Sequence, residues 1–277
     1  RDLRADDNAG LFHALKSGKP VLPIFIFDKH ILNKLQDKSD RRVAFIHAAL
    51  ETLQQTIVHA GSSLLIYHDT PENAFKNLVS KYNISAVFTN HDYEPYAAER
   101  DAGIKMFLDE HGIIMQTFKD QVIFEKDEIL KDDGKPYTVF TPYSRKWKAT
   151  LSETQLDSYS CKKYHSNFFK HRESKIPSLK QLGFLESAVP FPPNDLPEEL
   201  IKKYGKERDF PGIKGTSRLG VHLRFGTISI RQLAAKTKHL SETYLNVLIW
   251  RDFYRMILWQ FPHVGWGKSF KPAYDKI

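Results

Sequence analysis

The residues whose types and spacing can do chemistry concentrate between positions 204 and 255. Gly215-Thr216-Ser217-Arg218 opens what reads as a helix continuing over Leu219 to Phe225. A glycine followed by hydroxyl residues at a helix start offers unpaired backbone N–H groups, two side-chain donors and the positive end of the helix dipole, and proteins grip phosphate in this way. Such a site suits a nucleotide or dinucleotide, although the same residues also make an ordinary N-cap. Tyr204, Arg208 and a Pro211–Gly212 turn precede it, and Trp250-Arg251 follows on a long aromatic-rich segment. Gly265-Trp266-Gly267-Lys268-Ser269 ends like a phosphate-binding loop, but Pro262 stands where its first glycine belongs, so it reads as a turn. No His-Glu-x-x-His spacing occurs and the single Cys161 cannot form a zinc cluster, so no metal is expected.

The elements that must position these groups fall into two regimes. From residue 9 to 124, short apolar runs at 21–27, 63–67, 84–90 and 113–118 read as buried strands, being rich in β-branched and aromatic residues. Helices lie between them. Ile46, Leu50, Leu53 and Ile57 recur at helical spacing within 40–60; a second helix starts near Pro71 and runs to Tyr82, and a third covers 95–111. Strands separated by single helices predict a doubly wound α/β domain with a mostly parallel sheet. After residue 200, helices are expected at 219–225, 229–238 and 241–260, the last stopped by Pro262. Residues 125–195 read as a long connection wrapping across domains, which gives expected segments of 1–124, 125–195 and 196–277. Within the connection, Arg145-Lys146-Trp147-Lys148 fits a single-strand binder and equally a helix that turns Trp147 inward.

Bulk properties narrow the class of partner. With 277 residues, 41% hydrophobic and 13% aromatic, the chain can bury ample cores. Apolar runs stay well short of a membrane span, no signal-peptide pattern opens the chain, and one cysteine forms no internal disulfide, so an intracellular, non-membrane protein is expected. The net charge of +8 and pI near 9.3 favour a polyanionic partner.

Four motifs in one order resemble the DNA photolyase/cryptochrome family. They are Arg1-Asp2-Leu3-Arg4 with Asp7-Asn8, the segment from Gly134 to Tyr143 (GKPYTVFTPY), the stretch from Tyr204 to Arg231, and LIWRDFYR at 248–255. The resemblance implies an α/β antenna-type domain followed by the front part of an all-α flavin-binding domain. It also implies a fragment: a strand before Arg1, central in the sheet, and the rest of the helical domain after Ile277 would be absent.

By that resemblance, Tyr204, Thr216, Ser217, Leu219 and Arg251 would line flavin adenine dinucleotide (FAD), Arg208 would clamp a DNA phosphate, and Trp250 would be the catalytic cavity residue packing against a flipped lesion. Ultraviolet-damaged DNA is the implied partner and a monomer the implied state. Glu99 falls where some members contact a pterin, with Ala98 in place of the usual amide, which leaves a folate- or deazaflavin-type antenna an open expectation; a solvated helix carboxylate is the other reading. Gly220 replaces a common serine. The implied activity is that of a carbon–carbon lyase splitting pyrimidine dimers with light, the alternative being a cryptochrome-type photoreceptor. Val247 stands where dimer-repairing members carry a glutamate, and its apolarity is also compatible with a plain core position.

Overall fold

The computed structural model describes residues 1–187 and 189–276. Ala188, within the expected connection, and Ile277, the end of the expected third segment, lie outside the described residues, as do the side chains of Tyr274 and Lys276. The first half alternates helix and strand: α1 (Ala9–Lys16), β1 (Ile24–Asp28), α2 (Lys29–Leu32), α3 (Arg41–His59), β2 (Leu65–Asp69), α4 (Pro71–Lys81), β3 (Ala86–Asn90), α5 (Pro95–Glu110) and β4 (Ile114–Phe118). Local chemistry sets the boundaries. The Asn8, Asp40 and Thr70 side chains accept hydrogen bonds from the first turns of α1, α3 and α4, and Pro71 and Pro95 open α4 and α5, where a missing N–H costs nothing.

All strand pairings are parallel, as the alternation predicts, and among the described residues they form two pairs. β1 pairs with β2, Ile24 opposite Leu65, and β3 with β4, Ala86 opposite Ile114. Among the described residues each strand thus has a single hydrogen-bonded neighbour, and burial suffers accordingly: β2 and β3 are half-buried throughout and Ile114 is 62% exposed. The expectation of buried strands is corrected on that point. β1 also begins at Ile24, after Pro23, which has no N–H for a ladder. β2 begins at Leu65 because Ser63 and Leu64 are held by the Gln54 side chain.

Beyond β4 the chain crosses between two cores. α6 (Phe140–Thr150) turns Trp147 fully inward, which decides the Arg145–Lys148 stretch in favour of packing. Ile123, Phe124, Tyr143, Trp147 and Leu156 join a core with Ile201, Leu219 and Phe253 of the helical part. Cys161, Phe168, Leu182 and Phe184 return to the α/β core of Leu15, Phe27, Val43 and Leu50. The helical part comprises α7 (Glu198–Glu207), α8 (Gly220–Phe225), α9 (Ile230–Thr237), α10 (Glu242–Gln260) and α11 (Pro262–Gly265).

A buried ionic knot locks the two parts together. Arg231 on α9 contacts Asp7 at 2.8 Å and Asp120 at 2.9 Å, and Arg4 contacts the other Asp120 oxygen at 2.7 Å. Burial alone would raise the Asp120 carboxyl, yet Arg4 and Arg231 hold it below the ordinary value. Among the described residues no helix is long and apolar enough to cross a membrane.

Candidate functional site

The site is organised by α10, whose Ser241 cap accepts from Tyr244 N–H. Leu248, Ile249, Phe253 and Ile257 point into the helical core, whereas Val247, Trp250 and Tyr254 are 37%, 37% and 58% exposed. The aromatic-rich segment therefore divides between two faces, because residues three and four apart share a face and 247, 250 and 254 form their own row. With Arg251 and Arg255 they line a cavity of about 460 Å³. Val247 is consequently a wall residue, and its reading as core is corrected. Asn246 is engaged elsewhere, accepting from Ser144 Oγ at 3.3 Å, so it brings no polar group to the place of the missing carboxylate.

Rings fix the Trp250 indole. Phe140, at the start of α6, stacks on it with centroids 3.7 Å apart and planes 5° from parallel. Tyr254 stacks at 5.4 Å, and Phe253 meets it edge-on at 5.6 Å. Arg251, which also lines the cavity, donates to the carbonyls of Gln121 and Leu223, so its guanidinium ties α10 to the chain after β4 and to α8. Asp252 is 1% exposed; its Oδ2 accepts from Ile123 N and Phe124 N at 3.1 Å and from Trp147 Nε1 at 3.0 Å. Burial pushes its carboxyl up to about 6, against the pull of Trp147 and Arg251.

The expected phosphate stretch is a loop for longer than its residues suggest. α8 starts at Gly220 and has six residues, with the buried Leu219 as its N-cap and no side-chain cap bond. Thr216 and Ser217 thus precede the helix and do not open it, a correction that follows from Arg218 adopting a left-handed φ of 53°. Among the described residues the backbone N–H groups of Thr216, Ser217 and Arg218 make no hydrogen bond, and Thr216 is exposed. Ser217 Oγ accepts from Tyr244 OH at 2.9 Å, and Tyr204 packs against Tyr244 with centroids 4.8 Å apart. Gly215 is needed where it stands, since a Cβ there would sit 2.7 Å from the Glu207 backbone.

Tyr204, Ser217 and Tyr244 are therefore gathered at one end of α10, and Trp250 lies six residues on, about 9 Å along the axis. Arg208 caps α7, lies over the Tyr204 ring at 5.8 Å and contacts Asp209 at 3.5 Å. Glu99 is exposed on α5 and makes no ion pair among the described residues; its neighbour Arg100 contacts Asp101. Sequence reading did not single out Phe140 or Asp252. Phe140 lies inside the matched GKPYTVFTPY segment, and Asp252 directly follows Trp250-Arg251, so an acidic residue at a position inside an apolar helix was the available signal.

Comparison with known proteins agrees with this fold. The family model of DNA photolyase matches residues 1–160 of the 277. A deoxyribodipyrimidine photo-lyase of Synechococcus is 32% identical, the match covering 96% of this chain and 60% of that protein. The crystal structure of a bacterial class III photolyase from Agrobacterium tumefaciens superposes with a TM-score of 0.81 at 23% identity, over 99% of this chain and 60% of that one. An archaeal photolyase from Sulfolobus tokodaii, solved with two FAD molecules, gives a TM-score of 0.73 at 26% identity over 95% of this chain and 59% of that one. The chain spans about 60% of the length of these relatives. The same α/β-to-helical architecture accompanies a family match over more than half of the chain, and the chain belongs to the DNA photolyase family.

Proposed function

We propose that the chain belongs to a light-dependent DNA-repair flavoprotein that splits ultraviolet-induced pyrimidine dimers. The observation that carries this reading is the aromatic-walled cavity of Val247, Trp250 and Tyr254 with arginines at its margin. A dimer is already poorly stacked, so swinging it out of the duplex costs less than flipping a normal base, and an aromatic wall replaces lost stacking.

The residues present fit flavin adenine dinucleotide on the side they cover. The unpaired N–H groups of Thr216, Ser217 and Arg218, the exposed Thr216 hydroxyl and the close approach at Gly215 make a cradle for a pyrophosphate. Tyr204 and Leu219 border that cradle. Bound reduced flavin supplies a light-driven electron to the dimer. The chain's own residues do the rest: Trp250, held by Phe140, orients the flipped bases and excludes water, Arg251 steadies α10 beside them, and Arg208 holds a backbone phosphate.

Val247 favours a second reading, a cryptochrome-type photoreceptor, because valine neither donates to nor accepts from a dimer. Losing one such contact costs on the order of 1–3 kcal/mol in a buried site. One experiment separates the readings: the full-length chain with reduced flavin, cyclobutane-dimer DNA and blue light, following the return of intact thymine absorbance against a dark control. Recovery supports repair. No recovery, with flavin bound and photoreducible, turns the reading to light sensing unless (6-4) photoproducts are repaired in the same assay.

A further inference from the structure

One guanidinium at the cavity is left without a matching acceptor. Glu94, just after β3, is approached by three arginines: Arg1, Arg224 at 2.5 Å and Arg255 at 3.7 Å. The first two take the close positions, and together they hold the Glu94 carboxyl down at about 2, against the upward push of burial. Arg255 is the odd one. Its side chain is only 12% exposed, it makes no hydrogen bond among the described residues, and its one ion pair is the long contact to Glu94.

The surroundings make this more pointed. Arg1, Arg224, Arg251 and Arg255 lie within one electrostatic cluster, and the nearby carboxylates are Asp92 and Glu94, with Asp252 committed on the far side of α10. Burial together with the neighbouring Arg1 and Arg251 lowers the Arg255 guanidinium to about 10, as expected of a cation short of counter-charge. A guanidinium that is mostly buried, with only one long ion pair, gains from an acceptor that completes it. Arg255 lines the same cavity as Trp250 and Tyr254, so the missing acceptor has a place to arrive.

We propose that Arg255 is a phosphate-binding residue: the cavity takes a nucleotide whose flat ring packs against the Trp250–Tyr254 wall and whose phosphate oxygens pair with the Arg255 fork. A phosphate group suits this position because the guanidinium fork matches two oxygens at once, and because aromatic wall and cation together select a ring carrying an anion. The phosphate comes either from a DNA backbone or from the flavin nucleotide. The inference rests on the cavity facing flavin and DNA, as proposed above.

The test uses the full-length, flavin-loaded chain with Arg255→Gln and Arg255→Lys. Binding of a dimer-containing oligonucleotide is followed by anisotropy across a salt series, and flavin retention by dialysis. If DNA supplies the phosphate, Arg255→Gln weakens binding about tenfold and flattens the log–log salt slope by about 0.9; Arg255→Lys keeps the slope, and flavin retention is unchanged. If the cofactor supplies it, flavin dissociates about tenfold more readily while the DNA slope stays as in wild type. Unchanged affinities in both arms overturn the proposal, and so does a lowered melting temperature with both affinities intact, which would assign Arg255 to the Glu94 cluster alone. A wild-type chain that holds flavin and DNA while Arg255→Gln matches it sinks only this proposal. A wild-type chain that holds neither sinks the functional reading with it.

Discussion

Phe140 lies flat against Trp250, ring centroids 3.7 Å apart, although the two residues belong to different helices and are 110 positions apart in the chain. One face of the indole is thereby covered and its plane set. A flat ligand that uses Trp250 must take the ring surface or edge that Phe140 and the stacked Tyr254 leave open.

Replacing Phe140 with leucine keeps an apolar contact but removes the parallel ring. An aromatic pair of this kind contributes about 0.5–1.5 kcal/mol beyond area burial. The expected outcome is a Trp250 indole more accessible to acrylamide, read by difference against Trp250→Phe, and a several-fold loss of affinity for dimer-containing DNA. Phe140→Tyr should restore both.

Val247→Glu places a carboxylate on a wall that is 37% exposed, so the substitution is tolerated sterically. Its effect on stability should stay within about 0.5 kcal/mol, the usual span for surface changes. In the flavin-loaded full-length chain the yield of dimer splitting per absorbed photon should rise. A yield that stays flat or falls would show that repair, if present, does not draw on this position.

Asp252 links α10 to residues 123–124 and to Trp147 through one oxygen. Asp252→Ala strands those donors and should cost about 3 kcal/mol or more in urea unfolding at pH 7. The pH dependence has a definite sign. The folded-state value of about 6 exceeds the roughly 3.9 of an unfolded aspartate. The folded chain thus binds this proton more tightly, and the contribution is complete below about pH 4 and lost as pH rises through 6. Asp252→Asn cannot titrate, so the stability of wild type relative to this variant should fall between pH 4 and 6.

Gly226 ends α8 at a left-handed φ of 69°, and a Cβ there would run into the backbone of Arg1 and Asp2. Gly226→Ala combines strain with a clash against main chain that cannot rotate away. Thermal unfolding should shift down by many degrees, and limited proteolysis should open the first residues, which Leu3 N–H and Arg4 otherwise tie to the Phe225 and Gly226 carbonyls.

Local patterns made much of the architecture legible. The helix over Glu242–Gln260 follows from its apolar spacing, the Ser241 cap and Pro262, all of which act within a few residues. The alternation of apolar runs with helices likewise specified parallel pairing, since a strand–helix–strand unit returns in the same direction. Gly215-Thr216-Ser217 stood out as a candidate by residue type alone, a glycine followed by hydroxyls, while its place before α8 was not legible.

Tertiary contact decided the rest. Whether Val247 is core or cavity wall depends on which side of α10 meets α6 and α7, and helical spacing marks a face without saying what covers it. The pairing of Phe140 with Trp250, the three donors on Asp252 and the arginines around Glu94 join residues more than ninety positions apart, beyond the reach of any local signal. The division into two strand pairs depends on which edges meet, whereas the apolar runs report only that each strand seeks burial.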